Sequence, residues 1–241
     1  MSLVNLLNNH LYSYYMEKDL KFTILKSSKK ISSKIENWIF KAYDKNKKIF
    51  GRAPRKKFKI VICNSEKEWK EESKYYYFPF GAGTVLRDGT FVAKEQKFLK
   101  RSDKDYKILL DHEMNHVFFA LFYGVTKPTW IHEGIANFVG GYPLSKKETL
   151  KEIKTKKINH KILQYRYLYR NYSNKETVRL NYSIWRYFVE FASNNNSKVI
   201  ISFMNDFIKR PDKANYNKMF LKYFGENPKS KFQSFVKWLS K

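Results

Sequence analysis

The chain has 241 residues, of which 43% are hydrophobic and 18% aromatic, so it can bury a sizeable core and is not a disordered protein. Its net charge is +26, and no apolar run approaches the roughly 18 residues that a transmembrane helix needs. The N-terminal segment, Met1 to Asp19, has only a short apolar stretch and does not resemble a signal peptide. We therefore expect no membrane span and a cytoplasmic protein, or a secreted one if a leader has been removed.

Strands and helices alternate in the first half of the chain. Phe22–Leu25 alternates like a strand, and an amphipathic helix is predicted from Ile31 to about Phe50, before Gly51. A second strand covers Phe58–Cys63, a run of mostly β-branched residues that contains the single cysteine. That cysteine has no partner for an internal disulfide, and we expect it to fill the core.

Capping and turn residues predict further helices and a hairpin towards the middle of the chain. Ser65 and Glu68 have the spacing of a capping box for a short helix. Arg87-Asp88-Gly89 separates two short apolar runs and predicts a hairpin turn. Ser102 is a helix N-cap candidate, and Tyr106–Phe122 is apolar on nearly all sides, which is typical of a buried helix.

The second half of the chain is predicted to be helical. Thr129 is expected to cap a helix that Gly140 and Gly141 end, and Ser145 with Glu148 predicts a capping box for the next helix. Apolar side chains then recur at helical spacing, which indicates core packing. These stripes are Tyr182-Trp185-Val189-Ala192, Val199-Ile200-Phe203-Met204-Phe207 and Phe232-Phe235-Val236-Leu239, with Pro211 and Gly225 between the last helices.

One motif in the buried helix carries chemistry. His112 and His116 are four residues apart, so they share one helix face and can bind one ion. Glu113 lies beside them, and Glu133 offers an anionic ligand from a second helix. Two histidines and a glutamate leave one position of a tetrahedral zinc open, which is typical of a hydrolytic site. The alternative is a pair of core histidines that hydrogen-bond locally.

The segments His112-Glu113-x-x-His116 and Trp130-x-x-Glu133-Gly134-x-Ala136 resemble the gluzincin metallopeptidases, which include thermolysin and aminopeptidase-N-like enzymes. The likeness is closest to small peptidase MA-like domains. It covers about Lys21 to Ile208, with its specific motifs between Gly81 and Asn137, and the sixteen residues between His116 and Glu133 are slightly fewer than in larger relatives. The resemblance implies His112, His116 and Glu133 as ligands of one Zn²⁺ and Glu113 as general base.

Two positions depart from the family pattern. Thr84 stands where aminopeptidase-N-like enzymes carry the glutamate that binds the substrate's free amine, so endopeptidase action is as plausible as aminopeptidase action. Asn137 stands where thermolysin-like enzymes carry an aspartate that braces a zinc histidine. An amide oxygen can accept the same imidazole N–H but adds no charge, which predicts weaker metal binding.

The resemblance also implies a donor that stabilises the developing oxyanion. Tyr182 is the preferred candidate, because it is expected to open a helix well after Glu133, and His160 is the other. We expect His132 to line the groove beside Glu133 rather than to bind the metal, because adjacent helix positions point about 100° apart. In the gluzincin fold, substrates pair with the free edge of the strand that precedes the zinc helix, here the Gly83–Leu86 strand.

Together these features predict a single α+β metallopeptidase domain of zincin-like fold, residues 1–241. A small mixed β-sheet subdomain with the active-site helix, residues 1–125, would be followed by a mainly helical subdomain, residues 126–241, that carries Glu133. The predicted partner is a peptide or protein substrate. Two alternatives are a zinc-binding pseudo-peptidase and a basic protein associated with nucleic acid. No nucleic-acid motif accompanies the basic clusters at Arg52–Lys59 and Lys146–Lys161, so we expect no specific nucleic acid partner.

Overall fold

The computed structural model describes residues 22–26, 31–76, 81–124, 127–141, 144–165, 174–194 and 196–241. The chain divides into two compact units, residues 1–124 and residues 125–241. The first unit combines a sheet with helices, and the described part of the second is helical. The α+β class predicted from the sequence is therefore confirmed.

All strands of the described chain belong to the first unit. The helices of this unit lie between the strands or after them in the sequence. The elements are β1 (Phe22–Lys26), α1 (Ser33–Phe50), β2 (Phe58–Cys63), α2 (Glu66–Ser73), a 3-10 helix (Lys74–Tyr76), β3 (Gly83–Val85), β4 (Phe91–Lys94), α3 (Gln96–Leu99) and α4 (Asp103–Tyr123).

The four strands form one mixed sheet in the order β1-β2-β4-β3. The first three strands in this order are parallel, with Phe22 opposite Phe58 and Ile60 opposite Phe91. β2 is buried except at Lys59, as expected for a central strand whose parallel neighbours are joined by helices. β3 pairs antiparallel with β4 and ends the sheet.

The predicted hairpin between β3 and β4 is confirmed. Leu86 N donates to Thr90 O at 2.9 Å, and Thr90 N donates to the Asp88 carboxylate at 2.9 Å. Gly89 has a φ of 89°, in the left-handed region that favours glycine. A Cβ there would also lie 2.6 Å from Cδ2 of Leu121, so the turn packs tightly against α4.

The long helices α1 and α4 pack against each other through aromatic side chains. The Phe118 ring of α4 lies 5.3 Å from that of Tyr43 and 5.5 Å from that of Phe50, both on α1. α4 begins as predicted, with Ser102 Oγ accepting from Asp105 N at 3.1 Å, and it ends at Gly124 with a φ of 64°. Twelve buried side chains along α4 confirm the predicted buried helix.

The described part of the second unit consists of helices. They are α5 (Thr129–Gly140), α6 (Lys146–Thr155), a 3-10 helix (His160–Leu163), α7 (Lys175–Ser193), α8 (Ser197–Phe207), α9 (Lys213–Phe224) and α10 (Pro228–Leu239).

The core of this unit is built where α5 meets α7. Trp130 is fully buried, packs edge-on against Phe188 with 5.1 Å between ring centroids, and donates its indole N–H to Tyr216 Oη at 2.9 Å. Gly134 permits a close approach, because a Cβ there would lie 2.9 Å from the backbone oxygen of Trp185. These contacts orient α5, which carries Glu133, within the second unit.

The predicted ends of the shorter helices are confirmed in most cases. Ser145 and Glu148 form the full capping box of α6, and Gly141, with a φ of 92°, ends α5. The Thr129 cap is wrong: Thr129 is the first residue of α5, and Pro128 is an N-cap without a side-chain bond. The Ser65 cap of α2 is present, because Ser65 Oγ accepts from Glu68 N. The carboxylate of Glu68 accepts from the backbone N of Asn64, at 2.8 Å.

Cys63 fills the core as predicted. It is 1% exposed and belongs to an apolar cluster with Val61, Trp69 and Val92. Burial, followed by the charges of Glu72 and Glu68, raises the pKa of its thiol to about 12. The thiol is therefore neutral and shielded in the folded protein.

The helices of the described chain lack the features of a transmembrane segment. None is both long and apolar enough to cross a membrane. The longest, α4, has 21 residues but contains six charged ones between Asp103 and Glu113.

Candidate metal centre

Three candidate site residues lie on two consecutive turns of α4. His112, Glu113 and His116 are each 7–8% exposed. The Nε2 atoms of the two histidines are 3.0 Å apart, and their rings are nearly perpendicular, at 89°. The four-residue spacing therefore brings both imidazoles to one point, as the sequence predicted.

Glu133 completes a group of three potential ligands. Its side chain is buried at the second turn of α5. One ligand atom from each of His112, His116 and Glu133 lies within 4.8 Å of the other two. Two buried imidazoles and a buried carboxylate could hold a metal ion.

The chemistry and spacing of these donors fit zinc. Two nitrogen ligands on one tetrahedral zinc, each about 2.0–2.1 Å from the ion, lie about 3.3 Å apart. The 3.0 Å between the histidine Nε2 atoms is close to that value, and it is also the distance of a hydrogen bond between the two rings. A cation would also compensate the buried carboxylate of Glu133, which is costly to bury as a charge without compensation.

Comparison with known proteins adds no family assignment. No family model matches this chain, and a search of curated proteins finds no match. Membership of the gluzincin family therefore stays a prediction that depends on the sequence motifs around His112 and Glu133.

His132 is a neighbour of Glu133 rather than a member of the ligand group. Its Nδ1 lies 3.6 Å from Oε1 of Glu133, too far for a good hydrogen bond but close enough for a favourable electrostatic interaction when the ring is protonated. Among the described residues, the group that could hold a metal comprises His112, His116 and Glu133. The prediction that His132 lines a groove beside Glu133 stays a prediction.

Asn137 follows Glu133 by one helical turn and is fully buried. Its Nδ2 donates to the backbone oxygen of Glu133 at 2.7 Å. Within the described part of the chain, its Oδ1 accepts no hydrogen bond, so the amide oxygen that could brace a histidine does not do so. The side chain instead bonds to the helix that carries the glutamate.

Tyr182 lies within α7, not at its beginning as the sequence prediction assumed. The helix begins at Lys175, because Asn174 caps it by accepting from Glu176 N and Thr177 N. Tyr182 is half-buried, and its ring lies 6.3 Å from that of Trp185. His160, the other candidate, begins a 3-10 helix and is also half-buried.

A buried amide pair holds α4 against α1 and was missed from the sequence. Asn46 of α1 donates to the backbone oxygens of Ala42, at 2.9 Å, and Asp111, at 3.3 Å. Its Oδ1 accepts from Asn115 Nδ2 at 2.8 Å. Asp111 and Asn115 directly precede His112 and His116, so α1 is bonded to α4 beside both histidines. The available signal was an asparagine within the apolar stripe of α1.

Nearer the surface, the same helices are joined by an ion pair. Lys45 Nζ lies 2.6 Å from Oδ2 of Asp111, and both side chains keep some exposure. Burial raises the pKa of Asp111, while the hydrogen bond and charge of Lys45 oppose that rise. Because exposed ion pairs contribute little, the buried amides should matter more to stability.

Replacing Asn46 with alanine is expected to lower the free energy of unfolding by about 1–3 kcal/mol, because it leaves the Asn115 amide and the Asp111 carbonyl buried without this partner. Urea unfolding of the metal-free protein measures the change. The control is Lys45→Ala, which breaks the more exposed ion pair with Asp111 and should cost less than about 1 kcal/mol. An Asn46→Ala loss no larger than that of the control would contradict the support role.

Proposed function

We propose that this protein is a zinc-dependent metallopeptidase with a zincin-like fold, which hydrolyses peptide bonds in peptide or protein substrates. The observation that carries the proposal is the buried group of His112, His116 and Glu133, whose ligand atoms lie within 4.8 Å of one another. Two histidines and one carboxylate leave a fourth position of a tetrahedral ion for water or substrate, which is typical of a catalytic and not a structural zinc.

Each member of the group has a role in this proposal. His112, His116 and Glu133 hold the ion. Zinc, when bound, acts as a Lewis acid on the peptide carbonyl and lowers the pKa of a water ligand to about 7. Glu113 accepts the proton of the attacking water and passes it to the leaving amine. A carboxylate that served only structure would not need to lie beside two metal-binding histidines.

The negative charge that develops on the carbonyl oxygen needs a further donor. We assign this role to the hydroxyl of Tyr182, which is half-buried on α7. Tyr182 lies in the middle of the helix and not at its beginning, so the assignment depends on its hydroxyl chemistry and partial exposure. The alternative is that the imidazole of His160 donates to the carbonyl oxygen in place of Tyr182.

A zinc-binding module without turnover is the second candidate. Thr84 in place of an amine-binding acid and Asn137, whose Oδ1 accepts no bond among the described residues, both favour it. The retained Glu113 argues against it, because zinc binding by the three ligands does not require that carboxylate.

The decisive experiment combines metal analysis with cleavage of a mixed peptide library. Protein stripped by a chelator should bind one equivalent of zinc and cleave peptides only after zinc is restored. Amino-terminally acetylated peptides in the library separate the two specificities, since an endopeptidase cleaves them and an aminopeptidase does not. Zinc binding without any cleavage would favour the binding module, and failure to bind zinc would refute both proposals.

A further inference from the structure

There is no room for a side chain at Gly83, the first residue of β3. A Cβ built there would lie 2.6 Å from Cγ, 2.8 Å from Cδ and 2.9 Å from Oε1 of Glu113. Distances under 3.0 Å between a Cβ and these atoms are not tolerated, so something must shift when one is added. The backbone of β3 therefore lies directly against the side chain proposed as the general base.

The backbone conformation does not require glycine at this position. The described glycines with positive φ are Gly51, Gly89, Gly124, Gly141 and Gly225, and Gly83 is not one of them. Any residue can adopt its backbone angles, so space is the only constraint that the structure places on the residue type.

Both backbones at this contact are held in place. Gly83 pairs with Ala93 and Thr84 with Val92, on a strand whose four residues are all buried. On the other side of the contact, α4 is packed against α1 and bonded to it through Asn46. The most easily displaced group is therefore the flexible side chain of Glu113.

From this geometry we infer that Gly83 is a positioning residue: the missing side chain lets the Glu113 carboxylate occupy the place from which it can accept a proton. The role of the Glu113 carboxylate as a base rests on the proposed function. Its position against Gly83 does not depend on that proposal. An added methyl group would displace the carboxylate rather than unfold the unit. Gly83 thus acts on the reaction through Glu113.

The contrast with Gly134 shows why the outcome differs between the two glycines. A Cβ at Gly134 would meet Val189 Cγ2 at 2.7 Å and the backbone oxygen of Trp185 at 2.9 Å. A backbone oxygen inside α7 cannot rotate away, so Gly134→Ala must strain the packing of two helices. Gly134→Ala is expected to lower stability, whereas Gly83→Ala is expected to lower activity.

The test compares Gly83→Ala with the unchanged protein. We expect kcat for peptide cleavage to fall by about 10- to 100-fold, the effect of misplacing a reacting group by about 1 Å. Zinc stoichiometry and Tm should be retained, with KM changed far less than kcat. In a Glu113→Gln background, Gly83→Ala should cause no further loss, because the displaced group has already lost its function. An equal loss in both backgrounds would overturn the inference.

A crystal structure of Gly83→Ala provides a readout independent of activity. The Glu113 carboxylate should be displaced by about 1 Å or more while β3 and α4 keep their positions. A shifted strand with an unmoved carboxylate would overturn the inference. If the unchanged protein cleaves no peptide, the proposed function fails, and this displacement alone still decides whether Gly83 positions Glu113.

A second pair of variants covers the case in which Gly83→Ala does not fold. Glu113→Ala removes Cγ, Cδ and Oε1, the three atoms that the new Cβ would meet. Gly83→Ala should then be tolerated in the Glu113→Ala background. A double variant that is as unstable as Gly83→Ala alone would show that the clash lies elsewhere and would refute the inference.

Discussion

Replacement of Glu113 by glutamine is expected to lower kcat for peptide cleavage by about 10²- to 10⁴-fold, the usual contribution of general acid–base catalysis. Glutamine has nearly the same shape but cannot accept the proton of the attacking water. The proposed zinc ligands His112, His116 and Glu133 are unchanged, so zinc should still bind with one equivalent per chain. The buried surroundings of Glu113, which is 7% exposed, leave little room for bulk water to act as the base instead.

Steady-state kinetics on a cleaved library peptide, together with zinc analysis of each sample, measures this effect. Glu36→Gln is the matched control, because Glu36 is also a buried glutamate of the first unit but lies on α1, near its N-terminus. The control should keep the kcat of the unchanged protein. Equal kcat for Glu113→Gln and the unchanged protein would show that another group takes the proton. That result would not support the binding module, because a module without turnover has no kcat to measure.

The features that sequence predicted well are those fixed over short distances along the chain. Ser102 and Gly124 bound α4 because capping and left-handed termination depend on a few neighbouring residues. The common face of His112 and His116 follows from helical periodicity alone. The hairpin at Asp88-Gly89 likewise follows from turn chemistry.

The features that sequence did not reveal depend on tertiary packing. Asn46 and Asn115 are 69 residues apart in the chain, and only the packing of α1 against α4 brings their amides together. The contact between Gly83 and Glu113 depends in the same way on where β3 is placed by the sheet. Thr129 was wrongly expected to cap α5, because a threonine beside proline fits both the cap and the first helical position.

The predicted position of Tyr182 was wrong for a related reason. Its apolar neighbours at helical spacing located the helix but not its beginning. The cap at Asn174 lies a full eight residues earlier than Tyr182 and adds two turns to the helix. Apolar periodicity therefore identified the buried face of α7 more reliably than the residue at which the helix begins.

Replacing Glu133 with glutamine is expected to weaken zinc binding by at least about 100-fold, more than the 10- to 100-fold that follows loss of a residue that only supports a ligand. The neutral amide cannot supply the anionic donor of the three-ligand group. A 100-fold rise in Kd removes about 2.7 kcal/mol of the stabilisation that saturating zinc gives the folded protein. Cleavage at limiting zinc should fall with the bound metal.

The metal-free protein should respond much less, and this difference separates a ligand from an ordinary structural carboxylate. Glutamine keeps the shape of Glu133 and removes a charge whose burial is costly, so Glu133→Gln should change the stability of the apo protein far less than that of the zinc-bound protein. Thermal unfolding with and without zinc measures both effects, and His132→Ala, which alters the neighbour at 3.6 Å, should retain the zinc-dependent rise in Tm. A Glu133→Gln variant that loses stability without zinc and keeps the full zinc-dependent rise would assign Glu133 to packing rather than to metal binding.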